Sequence, residues 1–260
     1  MNGETILLAV EGPLAVLTLN RPEKLNALTP EMLDGIARAL DSVEERPECR
    51  ALIVTAAGER AFCVGADVKL WSALEPIEMW RNWTRRGQRV FDRLAGLRQP
   101  SIAAIDGLAL GGGLELAMAC DLRVAATGAG FGMPEVTIAT LPGWGGSHRL
   151  AGLVGIGRAR QMILTGERID AETASAWGLV NEIAADASAR ARELALRISQ
   201  NAPVSVQIAK EILGVIPDGG RASEGLERLA GAVAAATADG REGVAALTER
   251  RPPHFDGGAK

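Results

Sequence analysis

The sequence predicts an α/β fold, and three of its features support that prediction. Short apolar runs typical of strands alternate with helical patterns through the first two thirds of the chain. The chain has 260 residues, of which 47% are hydrophobic, so it can bury a full core in one domain or in one domain with a small appendage. The last third changes to helical patterns rich in Ala, Leu and Glu. We therefore expect an α/β core followed by a helical region.

The first predicted elements are a β-hairpin and a helix. Residues 5–10 and 14–20 are apolar runs rich in β-forming residues, and Glu11-Gly12-Pro13 between them is a turn sequence. The helix is predicted to begin at Pro30, with Thr29 as its N-cap. Its apolar residues recur at helical spacing and predict one buried face: Met32, Leu33, Ile36, Leu40 and Val43.

Strands and helices are expected to alternate along the rest of the chain. Apolar runs predict strands at residues 51–55, 101–105, 122–126 and 178–183, with a helix at residues 114–120. The polar stretch 70–97 contains three tryptophans and fits an amphipathic helix with a solvated arginine face. The C-terminal helices look added to the core, and they are predicted at residues 187–199, 203–213, 221–238 and 240–249.

Composition and charge exclude several classes of protein. The formal net charge of −4 provides no basic footprint, so nucleic acid and anionic membrane are not expected as partners. No stretch approaches eighteen consecutive apolar residues, and the first residues lack the basic segment of a signal peptide. These features favour a cytoplasmic enzyme.

The cysteines and histidines are too few and too scattered for several chemistries. Cys49, Cys63 and Cys120 are an odd number at wide spacing, which favours reduced thiols over a disulfide framework. Cys63 is either a nucleophile or a small core residue, and the latter is favoured because His148 and His254 form no recognisable Cys-His pattern with it. With two histidines and no close Cys/His spacing, no metal site is expected.

Two glutamates stand in apolar stretches of the sequence. Glu115 follows the glycine run 111–113 and opens an apolar helical stretch, while Glu135 follows Met133-Pro134. A buried carboxylate must be hydrogen-bonded or have its pKa raised, because burying it charged and unpaired costs several kcal/mol. Such perturbed acids carry out proton transfer near neutral pH in enzymes. The pair therefore indicates acid/base chemistry.

The glycine run 111–113 has two interpretations. Glycines allow close approach of a ligand, and the first N–H groups of the following helix lack intrahelical partners, so the turn can hold an oxyanion. The alternative is that the glycines serve tight strand-to-helix packing, with Glu115 placed favourably in a first helical turn. Both interpretations remain open on the residues alone.

An ordered set of motifs resembles the crotonase family of acyl-CoA enzymes, in register from about residue 6 to residue 255. Near the start it includes Asn20-Arg21-Pro22 and Leu25-Asn26-Ala27-Leu28. Each motif alone is weak, and the ordered set is specific. The other matching segments are residues 61–67 (Ala-Phe-Cys-Val-Gly-Ala-Asp), 105–117, 141–146 (Leu-Pro-Gly-Trp-Gly-Gly), 164–167 and 176–180.

The resemblance implies a fold, a reaction and an assembly. The expected fold is a crotonase-like spiral of ββα units over residues 1–196, with a helical oligomerisation region over residues 197–260. The expected reaction is that of an enoyl-CoA hydratase, which adds water to a trans-2-enoyl-CoA to give a 3-hydroxyacyl-CoA. No cofactor is implied, because coenzyme A is part of the substrate. The resemblance also implies a homotrimer or a dimer of trimers.

The same resemblance assigns roles to individual residues. Glu135 would be the acid that protonates C2, and Glu115 would hold and activate water. The backbone N–H groups of Ala66 and Gly112 would form the oxyanion hole. Asp67 would line the coenzyme A moiety or simply cap a turn. The other residues expected to line coenzyme A or the substrate are Lys24, Leu25, Val68, Lys69 and Gly143.

Substrate preference and rival activities stay open. Trp71 and Trp144 are candidates for the acyl pocket, and Trp144 departs from the small or short polar residue that the family usually has there. Its indole either reshapes the pocket or points outward and packs on a neighbouring element. A double-bond isomerase, which can work with one glutamate, and dehydratases of branched, aromatic or terpenoid acyl groups are the nearest rivals. A non-catalytic acyl-CoA-binding scaffold is the rival from another class.

Overall fold

The computed structural model describes residues 4–215, 230–231 and 233–257, which form two β-sheets with helices packed around them. The larger sheet has six strands: β1 (Ile6–Glu11), β2 (Leu14–Leu19), β3 (Ala51–Ala56), β5 (Ser101–Ile105), β7 (Leu122–Ala126) and β10 (Glu182–Ala184). The smaller sheet has four: β4 (Ala61–Cys63), β6 (Leu108–Leu110), β8 (Gly130–Gly132) and β9 (Arg168–Asp170).

The chain alternates between the two sheets as it advances. β3, β5 and β7 are neighbouring parallel strands of the larger sheet, and each is followed within a few residues by β4, β6 or β8 of the smaller one. Helical segments then lead into the next turn. Each turn is therefore a ββα unit, and the predicted spiral of such units is confirmed.

Helices surround the sheets in chain order. Short 3₁₀ helices span Pro22–Lys24 and Pro134–Ile138, and a π-helix spans Met79–Thr84. None of the helices in the described part of the chain is both long and apolar enough to cross a membrane. The α-helices whose bounds lie within the described residues are α1 (Pro30–Glu44), α2 (Val68–Trp71), α3 (Pro76–Glu78), α4 (Arg85–Ala95), α5 (Gly112–Met118), α6 (Gly146–Val154), α7 (Ile156–Thr165), α8 (Ala171–Ala176), α9 (Ala187–Ser199), α10 (Pro203–Val215) and α11 (Ala238–Glu249).

The N-terminal predictions are confirmed. β1 and β2 pair antiparallel, as a hairpin requires. Helix α1 begins at Pro30, and the hydroxyl oxygen of Thr29 accepts a hydrogen bond from the backbone N–H of Met32, so it is the N-cap. All five residues of the expected apolar face are buried.

The C-terminal third differs from the expectation in two respects. Helix α9 packs directly on the larger sheet, because Ala187, Ala191 and Ala195 form one small, fully buried face against β3, β5 and β7. It is therefore part of the core, although the sequence suggested an added helix. The strand expected at residues 178–183 begins later, at Glu182. Of the helix predicted at residues 221–238, the structure describes residues 230–231 and 233–236 as helical, and the rest lies outside the described residues.

Asn26 explains why the Leu-Asn-Ala-Leu motif matters to the fold. Its side chain is fully buried, with Oδ1 accepting from the backbone N–H of Arg21 at 2.8 Å. Its Nδ2 donates to the carbonyl oxygens of Ala57 and Ala61, each at 3.0 Å. The segment around Asn26 is thus tied to the start of β4 and to the loop that precedes that strand.

We expect Asn26→Ala to lower the free energy of unfolding by about 3 kcal/mol or more. Each buried backbone group left without a partner costs about 1 to 3 kcal/mol, and alanine is also strained at the φ of 55° that Asn26 adopts. Urea denaturation followed by circular dichroism measures the loss. The exposed Asn201→Ala is the matched control and should change the unfolding free energy by less than about 0.5 kcal/mol. A loss below about 1 kcal/mol at Asn26 would contradict this account.

Candidate active site

Three adjacent strands of the smaller sheet bring the predicted site residues together. β4, β6 and β8 run parallel, so their carboxyl ends meet at one edge of the sheet. The chain leaving β4 carries Ala66, the chain leaving β6 carries Gly112 and Glu115, and the chain leaving β8 carries Glu135. All four residues line one cavity of about 340 Å³.

Glu115 is held at the back of this cavity. It lies in the first turn of α5, its side chain is only 2% exposed, and Oε1 accepts from the backbone N–H groups of Trp144 at 2.8 Å and Gly146 at 2.7 Å. Burial raises its pKa, although these hydrogen bonds oppose that effect. Gly146 must be glycine, because a Cβ there would lie 2.7 Å from Glu115 Oε1.

The carboxylate of Glu135 is buried without the same support, although the residue as a whole is half-buried. Neither carboxylate oxygen has a hydrogen-bond partner in the described part of the chain, and both are shielded from solvent. Burial, with repulsion from Glu115 added to it, raises the pKa of Glu135 to about 7. Gly111 allows this approach, since a Cβ on it would lie 3.1 Å from Glu135 Oε1. Glu135 is therefore suited to hold or release a proton near neutral pH.

Two backbone N–H groups lie beside the carboxylates and have no hydrogen-bond acceptor in the part of the chain that the structure describes. Neither Ala66 nor Gly112 donates a backbone hydrogen bond to another described residue. Gly65 brings their segments together, because its φ is +96° and a Cβ there would lie 3.1 Å from the backbone nitrogen of Gly112. Gly112 is also the first residue of α5, where N–H groups have no intrahelical acceptor. This geometry suits an oxyanion.

The motif near the N-terminus supports the loop that carries Ala66. The carbonyl oxygen of Leu25 accepts from the N–H of Val64 at 3.2 Å. The N–H of Leu28 donates to the carbonyl oxygen of Gly65 at 2.8 Å. These contacts explain why the fold uses the Leu25-Asn26-Ala27-Leu28 motif together with the motif at residues 61–67, although the two are distant in the sequence.

The structure places the tryptophan of the glycine-rich turn inside the protein. Trp144 is 3% exposed and lines the cavity, and its ring centroid lies 5.2 Å from that of Trp83 and 5.3 Å from that of Phe91. Gly87 of α4 makes room for it, because a Cβ on Gly87 would lie 2.2 Å from Trp144 Nε1. Trp144 therefore does not point outward, although it does pack on neighbouring elements.

The other predicted contacts divide into two groups. Trp71, Val68 and Gly143 line the cavity, whereas Lys24 and Lys69 are exposed and lie outside its lining. Leu25 also lies outside the lining, and Asp67 is already engaged in an ion pair.

Asp67 serves as a cap. Its carboxylate forms an ion pair with Arg21 at 2.7 Å and accepts from the backbone N–H of Lys69 at 3.2 Å, at the start of α2. The hydrogen bond from Arg21 lowers the pKa of Asp67. The structure thus favours the turn-capping alternative for this residue.

Cys63 is a core residue. It is fully buried, and burial raises the pKa of its thiol to about 12, so the thiolate needed by a nucleophile is not formed near neutral pH. Its Sγ accepts from the N–H of Gly65 at 3.4 Å. No cluster of three or more potential metal ligands occurs among the residues that the structure describes.

Arg149 supports the site and was not predicted from the sequence. Arg149 of α6 donates from Nη1 to the carbonyl oxygen of Trp144 at 3.0 Å and from Nη2 to Asp92 Oδ1 at 2.6 Å. It thereby ties the turn that holds Glu115 to helix α4. The available signal in the sequence was Gly145, because a Cβ at this position would overlap the guanidinium of Arg149.

Comparison with known proteins agrees with this geometry. Residues 10–258 match the family described as enoyl-CoA hydratase/isomerase. The chain is 42% identical over 215 residues to the short-chain-enoyl-CoA hydratase of Clostridium acetobutylicum, and the match covers 82% of each chain. It is 39% identical over 256 residues to the crotonyl-CoA hydratase of Syntrophomonas wolfei, and this match covers 97% of this chain and 98% of that one.

A solved structure extends the likeness to the fold. The crystal structure of an enoyl-CoA hydratase from Bacillus anthracis has a TM-score of 0.94 and 36% identity, and the alignment covers 98% of this chain and 100% of that chain. The chain therefore belongs to the enoyl-CoA hydratase/isomerase family of the crotonase superfamily.

Proposed function

We propose that the protein is an enoyl-CoA hydratase that reversibly adds water to a trans-2-enoyl-CoA. One observation carries the proposal: two carboxylates of different environment, Glu115 and Glu135, line one cavity beside two backbone N–H groups that have no acceptor among the described residues. The named activities of the relatives support the same reaction. The proposed reaction uses no cofactor, and coenzyme A enters as part of the substrate.

The thioester carbonyl would accept hydrogen bonds from the N–H groups of Ala66 and Gly112. These donors stabilise the negative charge that develops on the carbonyl oxygen when C3 is attacked. Because the donors belong to the backbone, their position is set by Gly65 and by the start of α5. The small side chain of Ala66 leaves the approach open.

The two glutamates would divide the proton transfers. Ionised Glu115 takes a proton from water as the water oxygen bonds to C3, and protonated Glu135 gives its proton to C2. Water has then been added as a hydroxyl and a hydrogen, and one proton remains on the pair. Transfer of that proton from Glu115 to Glu135 restores the starting state. Glu115 Oε1 is already occupied by two backbone donors, which leaves Oε2 for water.

The test is an assay of the purified protein with crotonyl-CoA, in which hydration is followed by loss of the enoyl thioester absorbance. Conversion of a 3-enoyl-CoA to a 2-enoyl-CoA without hydration would instead establish the double-bond isomerase. Tight binding of an acyl-CoA with no turnover in either assay would establish the non-catalytic scaffold and refute the proposed reaction.

We expect kcat/KM for hydration to fall above a pH of about 7, by about tenfold per pH unit. The pKa of Glu135 is raised to about 7, so the carboxyl is neutral below that pH and ionised above it, where the pair has lost its single proton. Dehydration of the 3-hydroxyacyl-CoA needs the same proton on the pair and must show the same falling limb. Rate profiles in both directions measure this.

The control for the pH profile is Glu167→Gln, because Glu167 is exposed. This variant should show the same fall in kcat/KM above a pH of about 7 as the wild type. A profile that stays flat between about pH 6 and pH 9 would remove Glu135 from the role of acid.

We further propose a homotrimer or dimer of trimers, a core over residues 1–196 with an oligomerisation region over residues 197–260, and a cytoplasmic location. Exposed apolar side chains on α10 and α11, namely Leu213, Val244 and Leu247, support the idea that this region packs against another subunit. The proposed boundary falls inside α9, so α10 and α11 would supply the contacts. Light scattering coupled to size-exclusion chromatography tests the assembly.

A further inference from the structure

Aromatic residues are scarce in this chain, and most of its tryptophans lie in one place. The sequence has five Trp, four Phe and no Tyr, and four of the five Trp line the cavity that holds Glu115 and Glu135. These four are Trp71, Trp80, Trp83 and Trp144, which we call the tryptophan cluster. A stabilising core alone does not require such a concentration, because only Trp83 and Trp144 are buried.

We propose that the acyl group of the substrate carries an aromatic ring beyond C3, and that the tryptophan cluster binds this ring. The inference rests on the proposed hydratase function and names the substrate class of that site.

The inner half of the cluster is a rigid aromatic wall. Trp83 and Trp144 meet at 5.2 Å with their planes tilted by 57°, and Phe91 meets Trp144 edge-on at 5.3 Å. Fully buried Phe91 packs against Trp144, and Gly87 is in close contact with its indole. The indole therefore cannot retreat into the core, and the ring face it presents to the cavity is fixed.

The outer half of the cluster is exposed at the mouth of the same cavity. Trp80 is 61% exposed, and Trp71 is half-buried on α2. The π-helix directs Met79, Trp80 and Trp83 to the cavity. Arg81 of this helix lines a separate groove, with its Cζ over the Trp80 ring at 5.9 Å from the ring centroid. Across the mouth lie the exposed side chains of Ile138 and Leu141. An exposed indole beside an apolar cavity is typical of a ligand-binding surface.

A cavity wall made of aromatic side chains distinguishes an aromatic ring from an aliphatic group better than it distinguishes alkyl chains of different length. Any apolar acyl group gains from burial in proportion to its area, whether the wall is aliphatic or aromatic. An aromatic ring gains more when it meets indoles edge-to-face or in offset stacking. The closed inner wall also opposes a long linear chain. The cluster thus favours a flat aromatic ring over an aliphatic group of the same size.

The experiment compares two substrates that differ only in the ring: 5-phenylpent-2-enoyl-CoA and 5-cyclohexylpent-2-enoyl-CoA. In both, the ring is separated from the reacting double bond, so conjugation does not affect the chemical step. We expect kcat/KM for the phenyl substrate to exceed that for the cyclohexyl substrate by about tenfold. Equal values, or a preference for the cyclohexyl substrate, would overturn the inference.

Two variants connect the preference to the cluster. Trp80→Leu should bring the ratio of phenyl to cyclohexyl kcat/KM down toward one, and it removes little buried surface because Trp80 is exposed. The matched control is Trp177→Leu, at the one tryptophan outside the cavity, where Arg158 lies over the ring at 5.3 Å. That control should keep the wild-type ratio. A ratio unchanged in Trp80→Leu would also contradict the proposal.

Failure of this inference and failure of the proposed function give different results. Hydration of crotonyl-CoA without a ring preference would leave the hydratase standing and refute the aromatic substrate. If no thioester is hydrated, the proposed reaction is wrong, and calorimetry then decides the inference from the affinities of the same two thioesters. About tenfold tighter binding of the phenyl thioester would support the inference, and equal binding would refute it.

Discussion

Glu115→Gln and Glu135→Gln are each expected to lower kcat for crotonyl-CoA hydration by about 10² to 10⁴. Glutamine keeps the size of the side chain but can neither take nor deliver the proton that the reaction needs. Affinity for acyl-CoA should survive, because the backbone donors and the apolar walls of the cavity are unchanged. The double variant should be hardly slower than the slower single variant, since both side chains serve one proton transfer cycle and their effects are not additive.

The measurement is kcat and KM for each variant, with the fold checked by circular dichroism. Glu167→Gln is the matched control, because this glutamate is exposed and outside the cavity lining. Its activity should equal that of the wild type. Turnover that persists within about tenfold in either active-site variant would remove that glutamate from the mechanism.

The two carboxylates also show what geometry adds to the sequence. Their positions after a glycine run and after Met133-Pro134 indicated acids in apolar surroundings. The sequence did not show how the environments of the two carboxylates differ. The backbone donors to Glu115 belong to Trp144 and Gly146, about thirty residues further along the chain. No comparable donors reach Glu135 from the described residues.

The long elements of the fold were predictable, and the short ones were not. Helix α1 and the hairpin have enough residues to show periodicity and turn chemistry. β4, β6 and β8 have three residues each, too few for an alternating pattern, although their carboxyl ends position the site. Their place was implied only by the resemblance to a known family.

The orientation of Trp144 could not be predicted for a related reason. Whether the indole enters the protein depends on Gly87, which lies in another helix and leaves the space that the ring occupies. Likewise, the position of Asp67 after a glycine turn fitted both a ligand contact and a cap. The structure favours the cap because the guanidinium of Arg21, a residue of the N-terminal motif, forms an ion pair with the Asp67 carboxylate.

Gly112→Val is expected to lower kcat/KM by about 10³ or more and to weaken acyl-CoA binding. A Cβ at this position would lie 2.7 Å from Cζ3 of Trp144, so either the indole or the start of α5 must shift. The clash is thus with the protein's own indole. Either shift displaces the N–H of Gly112, and losing one oxyanion donor costs about 3 to 4 kcal/mol of barrier.

Two controls and a double variant make this prediction specific. Gly152→Val places the same side chain on α6, where a Cβ meets no atom within 4 Å, and Cys63→Ala removes the rejected nucleophile, so both should retain turnover close to wild type. Gly112→Ala should be severe alone and milder when combined with Trp144→Ala, because without the indole the nearest remaining contact of the new Cβ is Gly65 Cα at 3.5 Å. Kinetics and melting temperatures of Gly112→Val and of these four further variants separate lost chemistry from lost fold. Activity of Gly112→Val within about tenfold of wild type would exclude its N–H from the oxyanion hole, since that donor is worth far more.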